Sequence, residues 1–156
     1  MKKQKRHDLK SSPLFLALEL GDIKAVIEQL DSGISLEILD LDGNTPLIRA
    51  SFLGYEGLIN ELVRRGVNVN ALNDIGYSAL HFSAQEGHES VARILINNGA
   101  KIDALDINGN TPLSNTIYYE NENLAKLLIK AGASLDLPNK HGVSPRELAE
   151  SMGFTI

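Results

Sequence analysis

Asp40-Leu-Asp-Gly-Asn-Thr-Pro-Leu47 returns, altered but legible, as Asn73-Asp-Ile-Gly-Tyr-Ser-Ala-Leu80, Asp106-Ile-Asn-Gly-Asn-Thr-Pro-Leu113 and Asn139-Lys-His-Gly-Val-Ser-Pro-Arg146, thirty-three residues apart each time. An acidic or amide residue first and Gly fourth is a turn signal, because the side chain bonds the local backbone and Gly accepts φ > 0. Ser or Thr follows, with Pro after it in three of the four copies. That pair reads as a helix N-cap and first helical residue, since the hydroxyl accepts a free N–H and Pro has none to leave unpaired. The same start signal stands at Ser12-Pro13, without a preceding turn.

Working outward, the turn glycines Gly43, Gly76, Gly109 and Gly142 are one of three glycine series with this period. Gly33, Gly66, Gly99 and Gly132 form the second; Gly21, Gly54, Gly87 and Gly153 form the third, with Glu120 where another member would fall. The third series interrupts a short helix and the second ends a further one. Between them, Val26, Ile27 and Leu30, then Leu58, Ile59, Leu62 and Val63, then Val91, Ile94 and Leu95, then Leu124, Leu127 and Leu128 fall at helical spacing. The pattern is turn, helix, helix, connector, four to five times. Units this small cannot bury an apolar face alone and are stable only when stacked. Such a chain presents surface, and binding is expected before chemistry.

Thr45-Pro-Leu, Asn68-Val-Asn70, Ser78-Ala-Leu-His81, Gly87-His88 and Ile94-Leu-Ile-Asn-Asn-Gly-Ala100 stand in the order and register of one consensus, and from about Ser11 to the C-terminus the sequence resembles the ankyrin-repeat family. The resemblance implies an all-α solenoid of stacked antiparallel helix pairs with β-turn tips. Three full repeats at about 40–72, 73–105 and 106–138 would lie between caps at about 11–38 and 139–156, the first cap lacking a turn. It also implies a concave groove lined by tips and first helices, with second helices behind. The tips would then carry Leu41, Asp42 and Asn44, next Asp74, Ile75 and Tyr77, and next Ile107, Asn108 and Asn110. The inner helices would add Glu19, Leu20, Phe52, Leu53, Gln85, Glu86, Tyr118 and Tyr119. Thr116, Ile117 and Glu120 replace the small residues and Gly expected between the helices of the third repeat, so either Glu120 bears left-handed strain or that loop takes another shape.

Composition bounds the rest. In 156 residues a 33-residue period leaves one domain, at 11–156, and no room for a second. Without cysteine neither a disulfide framework nor a thiolate zinc site is available, which suits a reducing, cytoplasmic setting. No apolar run has the length of a membrane span. Residues 1–10 hold five Lys or Arg and one Asp, a basic leader of +4 read as a disordered tail; against a whole-chain formal charge of −5, the remainder is −9. A body this acidic is a poor match for nucleic acid, whose affinity rests on phosphate neutralisation. A monomer is expected.

His81, Glu86 and His88 fall within one repeat and raise the question of a metal site or general base. The resemblance answers it, since both histidines occupy positions where the family often carries His to tie loops together. No Gly-rich phosphate loop after a strand and no Gly-x-Ser-x-Gly elbow is present. No metal, no cofactor and no enzymatic activity are expected.

The chain has four Phe and four Tyr, and Phe52, Tyr77, Tyr118 and Tyr119 map to the groove. Aromatics ringed by polar residues are typical of interface cores. Asp42, Asp74, Glu86 and Glu19 beside them suit a protein partner that is apolar at its centre and basic around it. The function expected is a protein-interaction module, a scaffold or adaptor. The alternative is an immunity or inhibitor protein that covers a toxin enzyme's active site; a metal-dependent enzyme comes a distant third.

Overall fold

The computed structural model describes Arg6–His7 and residues 12–156. Among the described residues the helices form four pairs and a closing single helix: α1 (Pro13–Leu20) with α2 (Ile23–Asp31), α3 (Pro46–Leu53) with α4 (Glu56–Arg64), α5 (Ala79–Glu86) with α6 (Glu89–Asn97), α7 (Pro112–Tyr118) with α8 (Glu122–Lys130), and α9 (Pro145–Met152). The helix starts fall where the repeated words put them. Thr45, Ser78, Thr111 and Ser144 each accept a backbone N–H three residues on, and Ser12 alone makes no side-chain cap bond. Each such cap contributes about 1 kcal/mol, which matters for helices of two turns.

Stacking then does what a single pair cannot. α3 packs on α1 and α5, and α7 on α5 and α9, while α4, α6 and α8 form a second layer behind. The core is a ladder of equivalent positions: Leu14, Leu47, Leu80 and Leu113 in the first layer, Leu62, Leu95 and Leu128 in the second, all buried. Small residues such as Ala50, Ser83 and Ala84 let the first helices approach closely.

The turn words become tips. The N–H of Gly43 donates to the Asp40 carbonyl at 3.2 Å, and Gly76, Gly109 and Gly142 repeat the bond to Asn73, Asp106 and Asn139. The Asp40 carboxylate stiffens the first tip by accepting from the N–H groups of Asp42 and Asn44 at 2.9 and 2.8 Å. Successive tips are joined backbone to backbone, Asp74 to Asp42, Ile107 to Ile75 and Lys140 to Asn108, at 3.1, 3.0 and 2.8 Å.

Arg6–His7 forms a short strand, β1, parallel to β2 (Leu39–Asp40), with Arg6 opposite Leu39 and His7 opposite Asp40. Both pairs lie one repeat period apart, so β1 sits in the register that a preceding tip would occupy. The remainder of the leader read as a disordered tail lies outside the described residues.

At Glu120 the loop keeps the shape of its relatives. The N–H of Asn121 donates to the Thr116 carbonyl at 2.7 Å, as Asp22 does to Ala17, Tyr55 to Ala50 and His88 to Ser83. Glu120 therefore adopts φ +58° in place of glycine, and of the two alternatives left open by the sequence the strained one is observed.

Candidate concave binding face

Two depressions lie on the face made by the tips and first helices. The first, about 380 Å³, lies between the first two tips and is lined by Leu41, Asp42, Asn44, Ile48, Arg49, Phe52, Asn73, Asp74, Ile75 and Phe82. Ile48 is buried and Phe52 and Phe82 half-buried, so the bottom is apolar, while Leu41 and Ile75 at the rim are 60% and 45% exposed. Arg49 also lines it. Its guanidinium donates to the buried Asp40 carboxylate at 2.8 Å and lies 3.3 Å from Glu19. Arg49 is thus paired with two carboxylates, and Asp42 and Asp74 on the tips add acidic side chains to the mouth.

The second depression, about 300 Å³, is lined by Tyr77, Asn110, Ser114, Asn115, Tyr118, Tyr119, Asn139, Val143 and Leu148, none of them charged. Tyr118 and Tyr119 meet edge to face with ring centroids 5.1 Å apart, and Tyr118 is 63% exposed. Burial pushes the Tyr77 phenol up, opposed by a hydrogen bond with the Asn115 side chain. Tyr77 also stacks on His81 and meets Phe82 edge-on, and Phe82 meets Phe52. A chain of aromatic contacts, Phe52 to Phe82 to Tyr77, thus joins the two depressions.

Of the residues expected on this face, the first depression gathers Leu41, Asp42, Asn44, Phe52, Asp74 and Ile75, and the second Tyr77, Asn110, Tyr118 and Tyr119. Ile107 and Asn108 are exposed on the third tip but line neither. Leu53 packs partly buried against the core, and Gln85 donates to the Glu86 carboxylate at 2.8 Å. Asn44 corrects its expected placement. It lies beneath the tip, 4% exposed, donating to Asp40 and accepting from Asn73, each at 2.9 Å. Asn110 repeats this between Asp106 and Asn139. The reason is geometric: the two central turn residues Leu41 and Asp42, and Ile107 and Asn108, are exposed, and where the fifth residue of the word is Asn its short amide folds back to rivet one tip to the next. Sequence reasoning passed over Arg49, Phe82 and Asn115, which share one repeat position. The signal was present, since each lies three residues before Phe52, Gln85 or Tyr118, on the same helix face.

The histidines serve the loops. The His81 Nδ1 accepts from the Ser78 N–H at 3.1 Å, so Nε2 carries the proton and donates to the Asn110 carbonyl at 3.2 Å. Burial pulls the His81 pKa below its usual value, and the donor facing Nδ1 reinforces the neutral form. The His88 Nε2 donates to the Phe52 carbonyl of the preceding repeat at 3.0 Å, while Asn121, one period on, donates to the Ala84 and Gln85 carbonyls. Among the described residues, no group of three or more His, Asp or Glu is placed to hold a metal, and no helix is long and apolar enough to cross a membrane.

The second-helix face carries a larger depression, about 570 Å³, between α6 and α8, lined by Glu89, Arg93, Lys126 and Lys130 together with Ile96 and Leu127. Arg93 pairs with Glu89 at 2.6 Å and Lys126 with Glu122, one helical turn apart along each helix. Such exposed pairs are weak, and the lining has no aromatic anchor.

A repeat-stacked architecture with hooked tips and an aromatic concave face defines a class of helical repeat proteins. The family of ankyrin repeats (3 copies) matches residues 53–139, more than half of the chain, and the protein belongs to the ankyrin-repeat family. Repeats of this family are generally protein–protein interaction modules and typically non-enzymatic. Compared with curated proteins, the chain finds no match.

Proposed function

We propose that the protein is a scaffold or adaptor that holds a protein partner in its concave groove, at the face carrying Tyr118, Tyr119, Ile75 and Leu41. The observation that carries this reading is the concentration of exposed large apolar side chains there: Leu41 60%, Ile75 45%, Ile107 52%, Tyr118 63% and Tyr119 47%. Isolated exposed hydrophobes need no explanation, but several on the tips and first helices of successive repeats, with Asp42, Asp74 and Asn108 beside them, have the make-up of an interface. The back face offers charge pairs in water instead.

The test is titration of single variants against the native partner, recovered from its cell on the tagged full-length protein. Tyr118→Ala or Tyr119→Ala should cost about 2 kcal/mol, roughly thirtyfold in affinity, as truncated interface anchors do. Arg93→Ala and Lys126→Ala should bind like the parent. Loss on the back face with an indifferent groove would move the site to the second helices.

A second reading, inhibition of a basic enzyme, is favoured by the charge of −9 on residues 11–156. An acidic groove raises the encounter rate with an enzyme that handles nucleic acid. Assay of the recovered partner separates the two: a catalytic activity abolished on binding marks an inhibitor, and an unchanged one marks a scaffold.

A further inference from the structure

We infer that the groove takes an extended peptide segment of its partner, holding two apolar side chains four or six residues apart, the one at the first depression lying two residues from a lysine or arginine. This rests on the groove reading above and adds the chemistry of the occupant.

Size comes first. Cavities of about 380 and 300 Å³ fall at the small end of ligand pockets, about 300–1,000 Å³, and suit single large side chains better than a cofactor. Their linings differ in chemistry. The first has an apolar bottom of Ile48, Phe52 and Phe82 beneath a mouth carrying Asp42 and Asp74, with Arg49 already engaged by Asp40 and Glu19. A cation two residues from the anchor falls on the same face of an extended chain and meets the acidic mouth at Asp42. The second is uncharged and walled by Tyr77, Tyr118 and Tyr119. An aromatic or aliphatic anchor without charge fits it.

Spacing follows from the repeat. The first depression lies between repeats one and two, the second around repeat three, with Tyr77 reaching in from before and Val143 from after. Neighbouring helices pack about 8–10 Å apart, so one and a half to two repeats separate the centres by roughly 12–20 Å. An extended chain advances about 3.3 Å per residue and turns alternate side chains to one face, so both anchors reach the groove only at even offsets, about four or six. A helix would cover the same span with about eleven residues, ordering twice as much chain between the same two anchors.

The probe is a set of fluorescein-labelled peptides on a Gly-Ser-Thr background, carrying Lys-Ser-Leu and a single Phe at offsets of three, four, five, six and eleven from the Leu, in both orders. They are titrated against the full-length protein at low and high salt. Offsets four or six should bind about tenfold more tightly than three, five or eleven, and replacing the peptide Lys by Glu should weaken binding about tenfold at low salt and less at high salt. Asp42→Lys, at an exposed tip, should reverse that charge preference. Tyr118→Ala should make binding indifferent to the position of the Phe. Binding that ignores the offset, or a charge preference untouched by Asp42→Lys, overturns the inference. If no peptide binds while Tyr118→Ala still abolishes capture of the native partner, the extended occupant is wrong and the groove reading stands. If the native partner is indifferent to Tyr118→Ala and Tyr119→Ala, the groove reading fails on its own.

Discussion

Glu120 is the one non-glycine residue with positive φ among the described residues, in a loop whose equivalents carry glycine. Left-handed backbone costs an L-residue about 1–2 kcal/mol, and the extra freedom a glycine brings to the unfolded chain offsets about 0.4–1 of that. Glu120→Gly should therefore stabilise by about 0.5–1 kcal/mol and raise the melting midpoint by about 2 °C in a chain of this size. A midpoint that falls or stays put would show that no strain is stored there. His81 makes a second residue-scale prediction. Burial holds its pKa below the ordinary 6.5 in the fold, whereas the unfolded chain protonates as pH drops through that value. The unfolded state then binds more protons, so stability is full above pH 6.5 and declines as pH falls toward the depressed value. Urea midpoints at pH 7.5 and 5.5, with the His81 ring signals followed by NMR, check both halves. A ring that titrates like free histidine sinks the assignment.

Between elements, the residue after the mid-repeat break does the joining at two places. His88 reaches back to the Phe52 carbonyl and Asn121 to the carbonyls of Ala84 and Gln85, so the loops into α6 and α8 are pinned to the ends of α3 and α5. Asn121→Ala leaves two carbonyls without that donor and should cost about 1–3 kcal/mol, read as a lower urea midpoint with an unchanged slope. A cost below about 0.5 kcal/mol would mean that water replaces the amide without loss. Helix existence was legible from period and cap words, because both depend on local chemistry. The rivets were not, because Asn44 and Asn110 read as turn residues until their partners Asn73 and Asn139, one repeat away, are in place.

Across the whole molecule each unit touches only its neighbours, so the ends should open before the middle. α9 stands without a second helix, whereas α5 and α6 are covered on both sides. Amide exchange should be slowest in α5 and α6 and fastest in α9; uniform protection would indicate a single cooperative block. The charge also acts at this scale. With −9 on residues 11–156, association with a basic partner should slow as salt rises, since exposed charges are screened beyond about 8 Å at physiological ionic strength. A rate flat in salt would leave the acidic rim without a role in encounter.

The repeated word at Asp40, Asn73, Asp106 and Asn139, with its period, was enough to determine the helical stack and the helix starts, and the apolar spacing picked out the second-layer rungs Leu62, Leu95 and Leu128. These follow from turn geometry, capping and amphipathic spacing, which act within a few residues. Three things were decided only by the tertiary structure. Glu120 was forced into the glycine conformation because its loop must keep the bond from Asn121 to Thr116. The expected groove residues were sorted into rivets, core and two separate depressions, because exposure depends on the neighbouring repeat. Arg6–His7 was drawn into the repeat register, where β2 offers an unpaired edge and no tip word in the leader announces it. Each involves partners about one repeat distant or a balance between strain and stacking, and neither is written in the local pattern.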